Sequence, residues 1–310
     1  MILTVTLNTA LDVTYRVPRL LAHASHRVTE VTERPGGKGL NVARVLAAIG
    51  HEVTATGFAG GPTGHLVRER LAASSPGVRD ELVPCAGTTR RTLAVVDEAS
   101  GDTTQFNEPG PLITAAEWSG FLSRYEALLT GGARAVALCG SLPPGVPVGA
   151  YATLVRAARA AGVPVLLDTS GEALRRGVAA RPDVIKPNTA ELAELTGSRD
   201  PLPATRDARR RGAHAVVTSL GPAGLLAATA DGTWRAAPPR PLTGNPTGAG
   251  DSAVAGLLSA LTEDLPWPDR LTRAVALSAA TVTSPVAGEF DSAVYEEIRG
   301  AVAVTGCGSP

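Results

Sequence analysis

The sequence predicts an α/β fold with a mostly parallel central sheet and a small separate β-sheet. Short apolar runs alternate along the chain with segments whose apolar residues recur every three or four positions, as in βαβ units. Two β-rich stretches without a helical period, about 11–34 and 88–108, interrupt that alternation. The 310 residues, 44% of them hydrophobic, supply enough apolar surface for one large core.

In order, the strand-like runs are Ile2–Leu7, Val53–Gly57, Ala135–Cys139, Val163–Asp168, Asp183–Lys186 and Ala215–Ser219. Helical spacing marks Leu40–Ile49, Leu66–Ala73, Ala115–Leu129, Tyr151–Ala160 and Ala190–Leu195 between them. After about Gly250 the pattern is mainly helical: Ser252–Leu261, Trp267–Thr283 and Ser292–Val302. The stretch Leu11–Glu33 alternates like strands, and Thr92–Val96 with Thr103–Asn107 reads as a hairpin around Glu98–Asp102. These are expected to join into one small sheet; unconnected surface hairpins are the alternative. The Pro-rich segment Asp200–Ala204 reads as a loop, and residues 304–310 as a loose tail.

Twenty-nine basic residues balance 29 acidic ones, which argues against a nucleic-acid binder or a polybasic membrane patch. No apolar run nears the roughly 20 residues of a membrane span, and the N-terminus lacks a secretory pattern. Three separated cysteines, Cys85, Cys139 and Cys307, suit reduced thiols in a cytoplasm better than a disulfide framework or a zinc site. Only two of the basic residues are lysines, Lys38 and Lys186, and asparagine occurs only at positions 8, 41, 107, 188 and 245. An Arg- and Ala-rich codon bias explains the scarcity, so the positions that escape it draw notice.

Four segments carry chemistry. Asn245-Pro-Thr-Gly-Ala-Gly-Asp251 runs directly into a helix. Glycines there let backbone amides converge on an anion, and the helix dipole adds positive potential. Asp251 could take the proton of a hydroxyl attacking a phosphoryl group held over Gly248, Ala249 and Gly250. An aspartate N-cap after a glycine turn is the structural alternative. The segment Pro35–Leu46 again sets a glycine turn before a helix, with Lys38 and Asn41 able to face one ligand; a lysine on a solvated helix end is the alternative. It is not a Walker A loop, and no G-x-G-x-x-G follows the first strand. In Asp183–Leu192 a strand meets a helix, placing Asn188 and Glu191 on one face of its first turn. They suit a hydrated Mg²⁺, a capping box, or both. Finally, Val216–Gly224 ends a buried strand in a serine and glycines, which suits close approach of a nucleotide.

Taken together and in this order, the segments resemble the PfkB (ribokinase-like) carbohydrate kinases, within them the branch of 1-phosphofructokinases and tagatose-6-phosphate kinases. The resemblance spans essentially the whole chain: Thr4–Asp12, Gly36–Leu46, Phe106–Pro111, Gly140–Gly145, Lys186–Asn188, Ser219–Gly221 and Gly248–Asp251. It implies one ribokinase-like three-layer α/β/α domain over residues 1–310, with the small sheet as a lid. It implies an ATP- and Mg²⁺-dependent kinase in which Asp251 is the general base and the Gly248, Ala249 and Gly250 amides form the anion hole. Asp12, Gly37, Gly39, Asn41 and Ser141 would hold the sugar, and Lys38 and Arg90 its phosphate, with Arg27 a further candidate. Lys186, Ser219, Leu220, Gly221, Gly224 and Gly250 would line ATP, and Asn188 with Glu191 would act on Mg²⁺ through water.

The chain departs from the branch pattern at Asn8-Thr-Ala (usually Asn-Pro-Ala), Thr92 (usually Asn), Cys139 (usually Ser) and Ala253 (usually bulky). The resemblance therefore implies a ketohexose-phosphate kinase, with fructose 1-phosphate the first-choice acceptor and tagatose 6-phosphate or fructose 6-phosphate close seconds. A non-catalytic sugar-phosphate sensor is disfavoured by the intact Asp251 and Asn188/Glu191. The exposed alternation in Val28–Glu33 and Thr92–Val96 allows a homodimer through the lid.

Overall fold

A computed structural model describes residues 1–284, 286 and 288–307. The N-terminal half contains β1 (Ile2–Thr6), β2 (Ala10–Val17), β3 (Glu30–Gly36), α1 (Lys38–Ala48), β4 (Val53–Ala59), α2 (Gly61–Ser74), β5 (Val78–Pro84), β6 (Arg90–Asp97), β7 (Thr103–Asn107), α3 (Ala115–Thr130) and β8 (Ala135–Cys139). The remainder contains α4 (Ala150–Ala160), β9 (Val165–Asp168), α5 (Gly171–Ala179), β10 (Val184–Ile185), α6 (Thr189–Thr196), α7 (Pro201–Arg210), β11 (Ala215–Ser219), β12 (Leu225–Ala228), β13 (Thr233–Ala237), α8 (Ala249–Thr262), α9 (Trp267–Val282), α10 (Ser292–Arg299) and β14 (Ala303–Gly306).

Among the described residues the main sheet runs β14-β13-β12-β11-β10-β9-β8-β1-β4-β5. Its centre is parallel, from β11 through β1 to β5. The strands from β12 to β14 extend it antiparallel at one edge. Central strands such as β1 and β8 are buried along their whole length, as expected where helices cover both faces. Alternate residues of β1 feed the two cores. Leu3 and Val5 join Phe121, Tyr125 and Leu154 on one face. Ile2 joins Leu40, Leu46 and Leu257 on the other. This is the three-layer arrangement expected from the sequence.

The two β-rich stretches do form one sheet, in the order β3-β2-β6-β7. Asp12 lies opposite Arg34 and Thr92, and Thr92 opposite Asn107, so a polar row crosses one face. Leu11 and Val13 point to the other face and join the core. Arg34 of β3 and Arg44 of α1 both pair with the Glu289 carboxylate, which ties the small sheet to the segment before α10.

Two sequence expectations are corrected. Asp200–Ala204 is not a loop: Asp200 caps α7 by accepting from Leu202 N at 3.2 Å. Pro201 takes the first helical position, where its missing N–H has no intrahelical partner to lose. Residues 304–306 are not a loose tail, because they pair with β13 as the sheet edge; residues 308–310 lie outside the described ones.

Candidate active site

A cleft of about 890 Å³ opens where β1, β8, β9, β10 and β11 end, roofed by the polar face of the small sheet. β1 has β4 on one side and β8 on the other, so connections leave it in opposite directions. Such a switch point in a parallel sheet leaves a crevice at the strands' C-terminal ends.

At one wall, Gly248 adopts left-handed backbone geometry (φ 83°) and serves as the N-cap of α8. Asp251 is therefore the third helical residue and not the cap, which removes the structural alternative for it. The Ala249 N–H bonds to the Pro246 carbonyl at 3.2 Å, and Gly250 and Asp251 follow it in the first turn of α8, where backbone N–H groups lack the carbonyl of a preceding helical turn. Asp251 is buried, and one of its oxygens, Oδ2, accepts from Asn41 Nδ2 at 2.8 Å. Burial, then the Asp168 charge, push its carboxyl from 3.8 up to about 6, against the opposing pull of Lys38, the Asn41 hydrogen bond and Lys186. A carboxylate tuned toward neutrality at a helix N-terminus has the chemistry to accept a proton near neutral pH.

Both lysines of the chain meet on one carboxylate. Lys38 Nζ lies 3.4 Å and Lys186 Nζ 3.6 Å from Asp168 Oδ1. Asp168 is 1% exposed, and its Oδ2 has no hydrogen-bond partner among the described residues. Asp168 raises the Lys38 pKa above its usual value against the cost of burial. Nothing in the sequence singled out Asp168; its only signal was its place at the end of a central strand.

The opposite wall holds Asp12 and Arg90. Burial raises the Asp12 carboxyl pKa, while Arg90, a Thr92 hydrogen bond and Arg44 pull it down. Gly36 and Gly37 lie beside Asp12 and Thr6: a Cβ on Gly36 would sit 2.1 Å from Asp12 Cγ, so glycine is required for the close approach. The Arg90 guanidinium is oriented by carbonyls, through Nε to Asn8 O at 3.2 Å and Nη1 to Glu108 O at 3.3 Å. Ser141 Oγ accepts from Asn8 Nδ2 at 3.1 Å. Thr92, Gln105 and Asn107 complete this wall; the last two were not singled out as site residues from the sequence.

On the remaining side Asn188 and Glu191 form a capping box, with Glu191 N to Asn188 Oδ1 at 2.9 Å and Asn188 N to Glu191 Oε2 at 2.8 Å. The capping box and a metal role can coexist, because Glu191 Oε1 takes no part in the cap. Among the described residues no three His, Cys, Asp or Glu side chains converge to grip a metal. Asn188 and Glu191 offer one amide and one carboxylate, a donor pair that would leave a bound Mg²⁺ several of its waters. Ser219 lines the same cleft and bridges to Asn188 at its backbone.

The cleft brings together Asp12, Gly37, Lys38, Asn41, Arg90, Ser141, Lys186, Asn188, Glu191, Ser219, Gly248, Gly250 and Asp251 among the sequence-derived candidates. Ala249, Leu220, Gly221, Gly224, Gly39 and Arg27 are outside its lining. Gly39 faces β1, where a Cβ would sit 2.4 Å from Thr6 Oγ1. Gly224 faces the Ala236 carbonyl at 2.0 Å from the same imaginary atom. Arg27 is exposed on the β2–β3 connection.

The sequence profile described as pfkB family carbohydrate kinase matches residues 4–293. A 1-phosphofructokinase from Rhodobacter capsulatus is 39% identical over 291 residues, 92% of each chain. The crystal structure of phosphofructokinase-2 from Escherichia coli in complex with potassium is 31% identical and superposes with a TM-score of 0.89, covering 96% of this chain and 98% of that one. The same enzyme in complex with fructose-6-phosphate superposes with a TM-score of 0.87 at the same identity and coverage.

Proposed function

The chain belongs to the PfkB family of carbohydrate kinases, which transfer a phosphoryl group to an alcohol, and from that premise we propose that it phosphorylates fructose 1-phosphate to fructose 1,6-bisphosphate with ATP. One observation carries this reading. A buried carboxylate tuned to about 6, Asp251, shares its cleft with Arg90, a guanidinium aimed by the Asn8 and Glu108 carbonyls. A cation so placed suits an acceptor that brings its own phosphate. The 1-phosphofructokinase relative supports fructose 1-phosphate over fructose 6-phosphate or tagatose 6-phosphate.

In the proposed reaction Asp12 accepts hydrogen bonds from sugar hydroxyls, and Arg90 with Lys38 holds the sugar phosphate. Asn41 fixes one oxygen of Asp251, leaving Oδ1 for the acceptor hydroxyl. Asp251 takes the hydroxyl proton as the oxygen attacks the γ-phosphorus, the bond to the β–γ bridging oxygen breaks, and ADP departs. The Gly250 and Asp251 amides and the N-terminus of α8 meet the charge on the transferring group. Lys186 and Ser219 lie on the nucleotide side. Asn188 and Glu191 would hold hydrated Mg²⁺, which supplies charge neutralisation to the ATP phosphates. Catalysis on this reading is positioning plus electrostatics.

The exposed edges of the small sheet, with Val31 and Phe106 more than half exposed, support a homodimer formed through this sheet, testable by sedimentation of a Phe106→Glu variant. No helix among the described residues is long and apolar enough to cross a membrane; the free cysteines and the use of ATP support a cytoplasmic location. The acceptor assignment is tested with Arg90→Ala. The KM for fructose 1-phosphate should rise at least tenfold, with the KM for unphosphorylated fructose nearly unchanged. An equal rise for both sugars removes the phosphate-site assignment.

A further inference from the structure

We infer that Asn8 is a positioning residue whose side-chain amide holds the frame that aims Arg90 into the acceptor cleft. The inference rests on the proposed phosphate role of Arg90 and extends it to a residue of the cleft wall that acts through Arg90.

Asn8 follows β1 at the switch point and is 5% exposed. Its Nδ2 donates to the Pro109 carbonyl at 3.0 Å and to Ser141 Oγ at 3.1 Å. One amide thus joins three segments: the end of β1, the strap leaving β7, and the loop after β8. Arg90 takes its orientation from two of them, bonding Asn8 O and Glu108 O. Glu108 precedes Pro109, so the amide anchors the strap one residue from the second carbonyl that Arg90 uses. Among the described residues the buried Asn8 Oδ1 has no hydrogen-bond partner, so the side chain is held there by its donors.

The chemistry demands an amide. A proline carbonyl can only accept, so its partner must supply an N–H or O–H. Aspartate has the same shape but is acceptor-only when ionised, and it would set a carboxylate against that carbonyl. Gly110 makes the room: its φ is +99°, and a Cβ there would lie 2.1 Å from Asn8 Oδ1. These contacts give a physical reason for an asparagine to persist at position 8 in a chain that has only five.

The test is a double-mutant cycle on the full chain, with fructose 1-phosphate and ATP as substrates. Asn8→Asp should raise the KM for fructose 1-phosphate about tenfold, as expected for loss of a buried hydrogen-bonded anchor, and shift the KM for ATP less than about twofold. In an Arg90→Ala background the same change should add less than about twofold, because residues acting through one contact are not additive. Gly110→Ala, which pushes the amide aside without altering it, should reproduce the coupled KM rise and keeps the test available if Asn8→Asp does not fold. A merely structural role would lower thermal stability and impair both substrates alike in both backgrounds. If Arg90→Ala is damaging while Asn8→Asp and Gly110→Ala are silent or fully additive with it, the inference is overturned and the phosphate site stands. If Arg90→Ala leaves the sugar-phosphate KM unchanged, both fall.

Discussion

Replacing Asp251 with asparagine separates function from stability. The perturbation removes a buried negative charge but preserves shape. The rise of its carboxyl from 3.8 to about 6 corresponds to about 3 kcal/mol of unfavourable native-state charge at neutral pH. That net value already includes the favourable pull of Lys38, Lys186 and Asn41. Because the folded protein binds this proton more readily than the unfolded chain, the stabilising contribution is fully present below pH 3.8. It is lost as pH rises through about 6. At pH 7.5 Asp251→Asn should therefore melt higher than the parent, by roughly 5 °C for a chain of this length, and the gap should close toward pH 4. Turnover should drop by about 10²–10⁴-fold, the usual worth of a general base, and the parent's kcat/KM should fall as pH drops through about 6. Differential scanning calorimetry across pH and a coupled ADP assay read both sides. Turnover within tenfold of the parent, or a variant that melts lower at pH 7.5, would refute this reasoning.

Other substitutions distinguish residues that the sequence treated alike. The scarcity of lysine draws equal notice to Lys38 and Lys186, but the structure separates their replacement by arginine. The Lys186 side chain is 5% exposed, with Nζ 3.6 Å from Asp168 and 3.5 Å from a Cβ position on Gly250. Lys186→Arg should overpack by about 1–3 kcal/mol, lowering both melting temperature and turnover. The Lys38 side chain is 40% exposed, so Lys38→Arg should leave the melting temperature unchanged and affect only sugar-phosphate kinetics; equal melting losses in both would contradict this. Gly39→Ala should cost about 1–3 kcal/mol through its clash with Thr6 and Val5, with a sugar-phosphate KM within about twofold of the parent. An unchanged melting temperature with a raised KM would return Gly39 to the binding site.

The legible part of the molecule was the part written in local patterns. Burial on both faces made β8 a continuous apolar run and left only buried threonines among the apolar residues of β1, and the glycine turns before Lys38 and Ala249 announced helix starts at a cleft. Asp168 was invisible because a carboxylate at a strand end has no local signature; its meaning comes from Lys38 and Lys186, which arrive from other elements. The α7 start was misread because proline marks loops and first helical turns alike, and the Asp200 cap was the cue that distinguished them. The edge strand β14 is short and mostly exposed, so it lacks the apolar alternation that identifies a strand. Gly39 and Gly224 sat in motif positions, yet their lack of a Cβ serves packing against β1 and β13. Asn8 stood out by rarity and by its place in the Asn8-Thr-Ala segment, but its partners at positions 109 and 141 required the fold.

The central claim is that the cleft serves an acceptor already carrying phosphate, with Asp251 taking its hydroxyl proton. The most direct measurement is ADP release with ATP and Mg²⁺ over fructose 1-phosphate, fructose 6-phosphate, tagatose 6-phosphate and unphosphorylated fructose. The account predicts the highest kcat/KM for fructose 1-phosphate and, through Arg90 and Lys38, at least a hundredfold preference for phosphorylated over free sugar, a gap of about 2.7 kcal/mol. Equal or greater kcat/KM for free fructose, or no ADP release with any of the four, would contradict it.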